Sequence, residues 1–243
     1  YHHLFEYLGK ELDYQTQLIQ RKTYTEINEL IGKGQIDVAF ICTGPYVTGM
    51  EEYGFEALAT PIVRGSPYYH AYLIVNKYSG IKTIEDLKGR RFAFTDPESN
   101  TGALVPQYWL SQLGETPTTF FKDVQYTFSH DNSIIAVSEL LVDGASVDSH
   151  IWEYYNLTNM NITAKTIVIK KSIPFGSPPI VASKYLSTDL KRNIQALLLN
   201  MHESQSGKEI LKGLMIDRFD APQEEWYQDV KRMKSVLNNP RLN

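Results

Sequence analysis

The chemistry in this sequence is concentrated at Asp96-Pro97-Glu98-Ser99-Asn100-Thr101-Gly102-Ala103-Leu104-Val105-Pro106. Hydroxyls, an amide and a glycine stand where a strand-like run, Arg91 to Thr95, hands over to a helical pattern. In that pattern Leu104, Val105, Tyr108, Trp109 and Leu113 share one face. A helix start leaves backbone N–H groups without internal partners and carries the positive end of the helix dipole, so it suits an anion. Ser99, Asn100 and Thr101 add side-chain donors to those amides. The plain alternative is an ordinary N-cap, because Ser, Asn and Thr cap helices in any protein.

The same handover recurs along the chain, and that favours a ligand. Ile36 to Cys42 reads as a buried strand and leads into Thr43-Gly44-Pro45, with Pro45 placed to open a helix. Val124 to Phe128 leads into Ser129-His130-Asp131-Asn132, and Ala145 to Val147 into Asp148-Ser149-His150. Further strands are expected at Thr16–Ile19, Glu56–Pro61, Tyr68–Val75, Thr166–Ile169 and Ile180–Ala182. Helices are expected over His3–Leu12, Thr25–Lys33, Leu190–Met201, Ser206–Leu214 and Gln223–Leu237. Strands alternating with helices predict an α/β fold with largely parallel sheets. In such sheets ligands sit beyond the carboxyl ends of the strands, where all four polar clusters lie.

Bulk properties narrow the function. The 243 residues suffice for one large domain or two moderate ones, and 42% hydrophobic with 21% charged is a globular composition. A formal net charge of −4 supplies no basic footprint for nucleic acid, so an anion must be held by local donors. No apolar run reaches the roughly 18–20 residues that span a bilayer. Cys42, the single cysteine, excludes an intramolecular disulfide and a two-cysteine metal or redox motif. No cofactor or metal is expected. Enzyme signatures are lacking: there is no G-x-S-x-G elbow and no P-loop, and adjacent His130 and Asp131 do not make a triad. The chain opens inside a helix with no initiator Met, and we expect a mature or trimmed fragment from which a signal segment is absent.

Taken together, these runs resemble a family. Tyr24 ahead of Gly34-Gln35-Ile36-Asp37-Val38-Ala39-Phe40 is followed by Gly65-Ser66-Pro67 with Tyr69 and Leu73-Ile74-Val75. Asp96-Pro97, Ser99, Thr101-Gly102 and Pro106 come next, then His130 and Val142-Asp143-Gly144-Ala145. Ile173-Pro174, Pro179-Ile180-Val181 and Leu186-Ser187 with Asp189-Leu190-Lys191 complete the pattern. The order and spacing resemble the phosphonate/phosphite/phosphate-binding proteins of ABC importers. Only the family's first strand, ahead of the opening helix, is missing from the match.

The resemblance implies a two-lobed type 2 periplasmic-binding-protein fold, each lobe a mainly parallel sheet flanked by helices, with the ligand in the cleft. Lobe I is expected over 1–87 and 175–243, lobe II over 88–174. It implies an extracytoplasmic solute-binding protein, periplasmic and open to lipid anchoring, that is not an enzyme. Such a protein closes by a hinge on a phosphorus oxyanion and delivers it to a membrane permease. The same fold also serves as the sensor domain of membrane signalling proteins. A monomer with no nucleic-acid partner is expected.

The implied ligand set is Tyr24 and Tyr69 as phenolic donors, Ser99, Asn100 and Thr101 at the helix start, and His130 through a ring N–H. Thr43 is a weaker candidate, because its turn needs small residues anyway. Tyr68 or Tyr72 could replace Tyr69, since strand register sets the face. Asp148 is either an acceptor for a protonated ligand oxygen or the cap of the helix near His150. Arg64, Arg90 and Arg91 are further candidates, although charged residues are mostly solvated. Relatives that take aminoalkyl phosphonates place carboxylates around the ammonium. Here His150 and Ser177 or Pro178 stand at those positions, which argues against such a ligand.

Overall fold

The computed structural model describes residues 1–238. In chain order the elements are α1 (His2–Leu12), α2 (Tyr24–Gly32), β1 (Val38–Phe40), α3 (Thr43–Tyr53), β2 (Glu56–Ile62), β3 (Tyr68–Tyr69) and β4 (Ala71–Asn76). Next come β5 (Arg91–Phe94), a π-helical turn (Asn100–Leu104), α4 (Val105–Gln112), α5 (Pro117–Phe120), β6 (Asp123–Tyr126), α6 (His130–Ser138) and β7 (Gly144–Asp148). α7 (Ser149–Thr158), α8 (Met160–Thr163), β8 (Thr166–Lys171), β9 (Phe175–Gly176) and β10 (Ile180–Ala182) follow. The last are α9 (Thr188–Asn200), α10 (Gln205–Gly213), β11 (Arg218–Asp220) and α11 (Gln228–Asn238).

The described chain divides into two compact units, Tyr1–Tyr68 with Gly176–Tyr227, and Tyr69–Phe175 with the chain from Gln228 to Asn238. These bounds correct the expected lobes in two places. β4 lies between β7 and β8 in the second unit's sheet, so residues 69–87 belong there and not to lobe I. α11 packs on α4 and the π turn, so the chain's last helix also returns to the second unit.

The first unit's sheet runs β1-β10-β2-β11 with every pairing antiparallel. Strands β1 and β2 point the same way, and β10 comes back between them from the far part of the chain. The largely parallel sheet expected from the sequence is therefore not found here. Its core is built by Leu4 and Leu8 of α1, Leu58 and Ala59 of β2, Ile194 and Leu198 of α9, and Phe219 of β11. α2 opens on a full capping box, Thr23 accepting from the Glu26 N–H while the Glu26 carboxylate accepts from Thr23. Thr16–Ile19 forms no strand, because no described strand lies beside it to complete a ladder.

The second unit's sheet runs β6-β5-β7-β4-β8. β5 is parallel to both neighbours and β4 antiparallel to both of its own, so four of the five strands share one direction. The expected long strand at Tyr68–Val75 breaks at His70 into β3 and β4. The three middle strands, β5, β7 and β4, are almost wholly buried. Phe92, Phe94, Leu73 and Val75 pack against Leu110 and Phe120 on one face. Ile74, Ala93, Ala145 and Val147 pack against Ile134 and Val137 on the other. Burial on both faces is what a sheet covered by helices requires, and it fixes the strand ends that carry the polar residues.

Candidate functional site

The second unit gathers most of the expected residues at the carboxyl ends of three adjacent parallel strands. Ser99, Asn100 and Thr101 follow β5, His130 follows β6, and Asp148 ends β7. All are buried: Ser99, Asn100 and Thr101 are 0% exposed, His130 8% and Asp148 5%.

The helix start is unusual in its register. Ser99 caps it, its Oγ accepting from the Gly102 N–H at 3.0 Å, and the next turn is π-helical, with the Val105 N–H reaching the Asn100 carbonyl. π turns of this kind are often found at functional sites. Pro106 follows, and it has no N–H to give to the carbonyls of Gly102 or Thr101. Both carbonyls bond elsewhere. Thr95 N–H donates to Gly102 O at 3.2 Å, and Ser146 Oγ donates to Thr101 O at 2.6 Å. Gly102 is required by contact, since a Cβ there would lie 1.7 Å from Thr95 Oγ1. The turn is thus held to β5 and β7 through its carbonyls. The first amides, of Asn100 and Thr101, are left without intrahelical acceptors.

Asn100 Nδ2 donates one of its two amide hydrogens to the phenolic oxygen of Tyr69 at 3.0 Å. Asn100 Oδ1, Thr101 Oγ1 and Thr95 Oγ1 are buried with no hydrogen-bond partner among the described residues. Buried polar atoms in that condition are rare and call for an explanation. Tyr69, at 0% exposure, is the inward tyrosine of its strand; Tyr68 is 38% exposed, and Tyr72 donates its hydroxyl to Glu153 at 2.7 Å. The ring of His150 stacks on Tyr69, centroids 5.8 Å apart.

His130 is the first residue of α6, and its Nδ1 accepts the backbone N–H of Asp148 at 3.1 Å. The ring proton of the neutral imidazole therefore sits on Nε2. Burial holds the ring below the ordinary histidine pKa, against the opposing pull of Asp148, Asp131 and Asp96. Asp148 caps α7, its Oδ1 accepting from the N–H groups of His150 and Ile151. The capping alternative is thus realised for this residue.

Tyr24 and Thr43 lie in the first unit. Tyr24 opens α2 and is half-buried. Thr43 is 0% exposed and donates its hydroxyl to the Gly176 carbonyl at 2.9 Å, so that proton is not available to a ligand. Ser177 is buried there too, its N–H on the Pro67 carbonyl at 2.7 Å. Arg91 stands at the opposite, amino end of β5, paired with Asp143 at 3.1 Å, and so is not one of the residues at the carboxyl ends. Sequence reasoning passed over Ser146, whose only signal was a hydroxyl inside an apolar strand. It also passed over Tyr227, whose hydroxyl is 2.7 Å from Thr60 Oγ1 and donates to the Ser177 carbonyl. One group of metal-capable side chains is found among the described residues, His2, His3 and Glu6, exposed on α1.

Comparison with known proteins bears on this arrangement. A family model described as "ABC transporter, phosphonate, periplasmic substrate-binding protein" matches residues 1–227. The chain is 25% identical to the phosphonates-binding periplasmic protein of Escherichia coli, over 97% of this chain and 73% of the relative. The binding-protein component of a phosphonate ABC transporter from Pseudomonas aeruginosa superposes with a TM-score of 0.90 at 24% identity, covering 98% of this chain and 82% of that one. A Prochlorococcus marinus protein solved with methylphosphonate gives 0.87 at 22% identity, over 97% and 91%. These likenesses give the type 2 periplasmic-binding-protein fold. The family is a transporter component and not a class of enzymes, and its place is outside the cytoplasm. No helix among the described residues is long and apolar enough to cross a membrane. The chain belongs to the family of periplasmic substrate-binding proteins of phosphonate ABC transporters.

Proposed function

We propose that this chain captures a small phosphorus oxyanion (phosphonate, phosphite or phosphate) outside the cytoplasm and hands it unaltered to the permease of an ABC importer. The observation that carries the reading is the start of the helix after β5, where buried Asn100 Oδ1 and Thr101 Oγ1 have no partner beside amides left open by the π turn. A small oxyanion is the ligand class that such a place serves. His130 Nε2–H, the Ser99 and Thr101 hydroxyls and the Tyr69 phenol are the side chains assigned to it. Tyr24 and Thr43 keep the assignments that the resemblance implies, Thr43 without its hydroxyl proton.

The chain is proposed to act as a monomer, with no nucleic-acid partner. An aminoalkyl substituent is disfavoured, since His150 is stacked on Tyr69 and Ser177 is bonded to Pro67, and neither is an acid.

Calorimetric titration of the ligand-stripped protein with phosphate, phosphite, methylphosphonate, aminoethylphosphonate and sulfate tests the reading. One phosphorus oxyanion should bind tightly, and Ser99→Ala and His130→Ala should each weaken it about tenfold or more. Silence across the panel, or preference for sulfate, refutes the assignment.

A further inference from the structure

The residues assigned to the oxyanion include no permanent cation. The only basic one is His130, whose Nδ1 is occupied by the Asp148 N–H and whose ring is therefore a neutral donor. Carboxylates of Asp148 at the end of β7, Asp96 beyond β5 and Asp131 on α6 face that ring. Asp148 and Asp96 are 5% and 2% exposed. Tyr69 and the His150 ring stacked on it are the other titratable groups beside Asn100. From α11, Lys234 is engaged with Glu98 at 3.7 Å. A second negative charge on the ligand would be desolvated here beside the buried Asp148 carboxylate, which raises its cost.

Hydrogen bonding points the same way. With one Nδ2 hydrogen on Tyr69, Asn100 has left its second amide N–H and Oδ1, a buried acceptor in need of a hydrogen. A phosphite or methylphosphonate dianion brings only lone pairs, whereas the monoanion brings a P–O–H; the phosphate dianion keeps one P–O–H, so for phosphate the added charge alone disfavours it. Resting on the oxyanion reading above, we propose that the site takes its ligand in the singly charged form, with Asn100 Oδ1 accepting the ligand hydroxyl. Asn100 is then a specificity-determining residue, reading the protonation state of the ligand and not only its shape.

The experiment is calorimetric titration of the chain with phosphate, phosphite and methylphosphonate from pH 6 to pH 9, each in two buffers of unlike ionisation enthalpy. The pair of buffers gives the number of protons taken up per ligand bound. Uptake should rise from near zero to about one, with its midpoint at the second pKa of each ligand in turn. Above that pKa the Kd should weaken about tenfold per pH unit. Zero uptake throughout means that the dianion binds and overturns the proposal. A midpoint common to all three ligands also overturns it, because a protein group would then be taking the proton. Absence of binding by any of the three defeats the oxyanion reading itself, a result distinct from either.

Discussion

The backbone N–H of Asp148 donates to Nδ1 of His130 at 3.1 Å, linking the end of β7 to the start of α6. The bond requires an unprotonated Nδ1, and burial already disfavours the charged ring. A histidine whose folded pKa is depressed contributes stability that is complete above the unfolded value of about 6.5 and is lost as pH falls below it. Thermal melts from pH 7.5 to pH 5 should show the protein losing stability on acidification. The slope from this proton is at most about 1.4 kcal/mol per pH unit. His130→Asn should be less stable at pH 7.5 and show a shallower loss; parallel curves would mean that His130 does not titrate.

Gly102→Ala should destabilise severely, by about 1–3 kcal/mol or to the point of not folding. Its Cβ would meet Thr95 Oγ1 at 1.7 Å and Thr95 Cβ at 2.7 Å. Thr95→Ala removes the Oγ1 contact and one with Cγ2 at 2.8 Å but leaves Cβ, so the double variant should recover part of the loss in urea denaturation and not all of it.

Ser146→Ala leaves the Thr101 carbonyl without the hydroxyl that reaches it at 2.6 Å. A buried acceptor left unmade costs about 1–3 kcal/mol. The denaturation midpoint should fall accordingly. Ligand affinity should drop as well, because the π turn loses its hold on β7; an unchanged Kd would count against that positioning role.

Tyr227→Phe tests the first unit on its own. Tyr227 is 2% exposed, its hydroxyl shared between Thr60 Oγ1 and the Ser177 carbonyl, and burial raises its pKa. Losing both contacts should cost about 1–3 kcal/mol.

Tyr69→Phe should weaken oxyanion binding by about tenfold to a hundredfold, the range of a bond to a charged partner, as read by titration. It also leaves Asn100 Nδ2 without its acceptor, so a smaller fall in stability should accompany it. Tyr68→Phe, at an exposed position, should change neither.

Much of this was legible in the sequence where the signal is local. Small polar residues after β5, β6 and β7 marked the carboxyl ends of parallel strands, and those ends do lie side by side. Signals that depend on distant partners were not legible. Residues 16–19 have strand composition, but strand formation needs a neighbour, and the described sheet offers none. The return of α11 to the second unit is decided by its packing on α4, over a hundred residues away in sequence, which periodicity does not record. Tyr69 was one of three tyrosines in its run, and its bond to Asn100 is a long-range contact that the run itself does not record. The loss of Thr43 as a donor likewise rests on Gly176, a long-range carbonyl.

Pro106 has a consequence for how readily the ligand place can be rebuilt. A residue with an N–H at that position would compete for the carbonyls that Thr95 and Ser146 now occupy, and would draw the turn toward ordinary α-helix. Replacing the proline would alter two strand attachments together with the open amides of the turn, all at once. The proline ring therefore keeps both carbonyls open to β5 and β7, and with them the register of the turn.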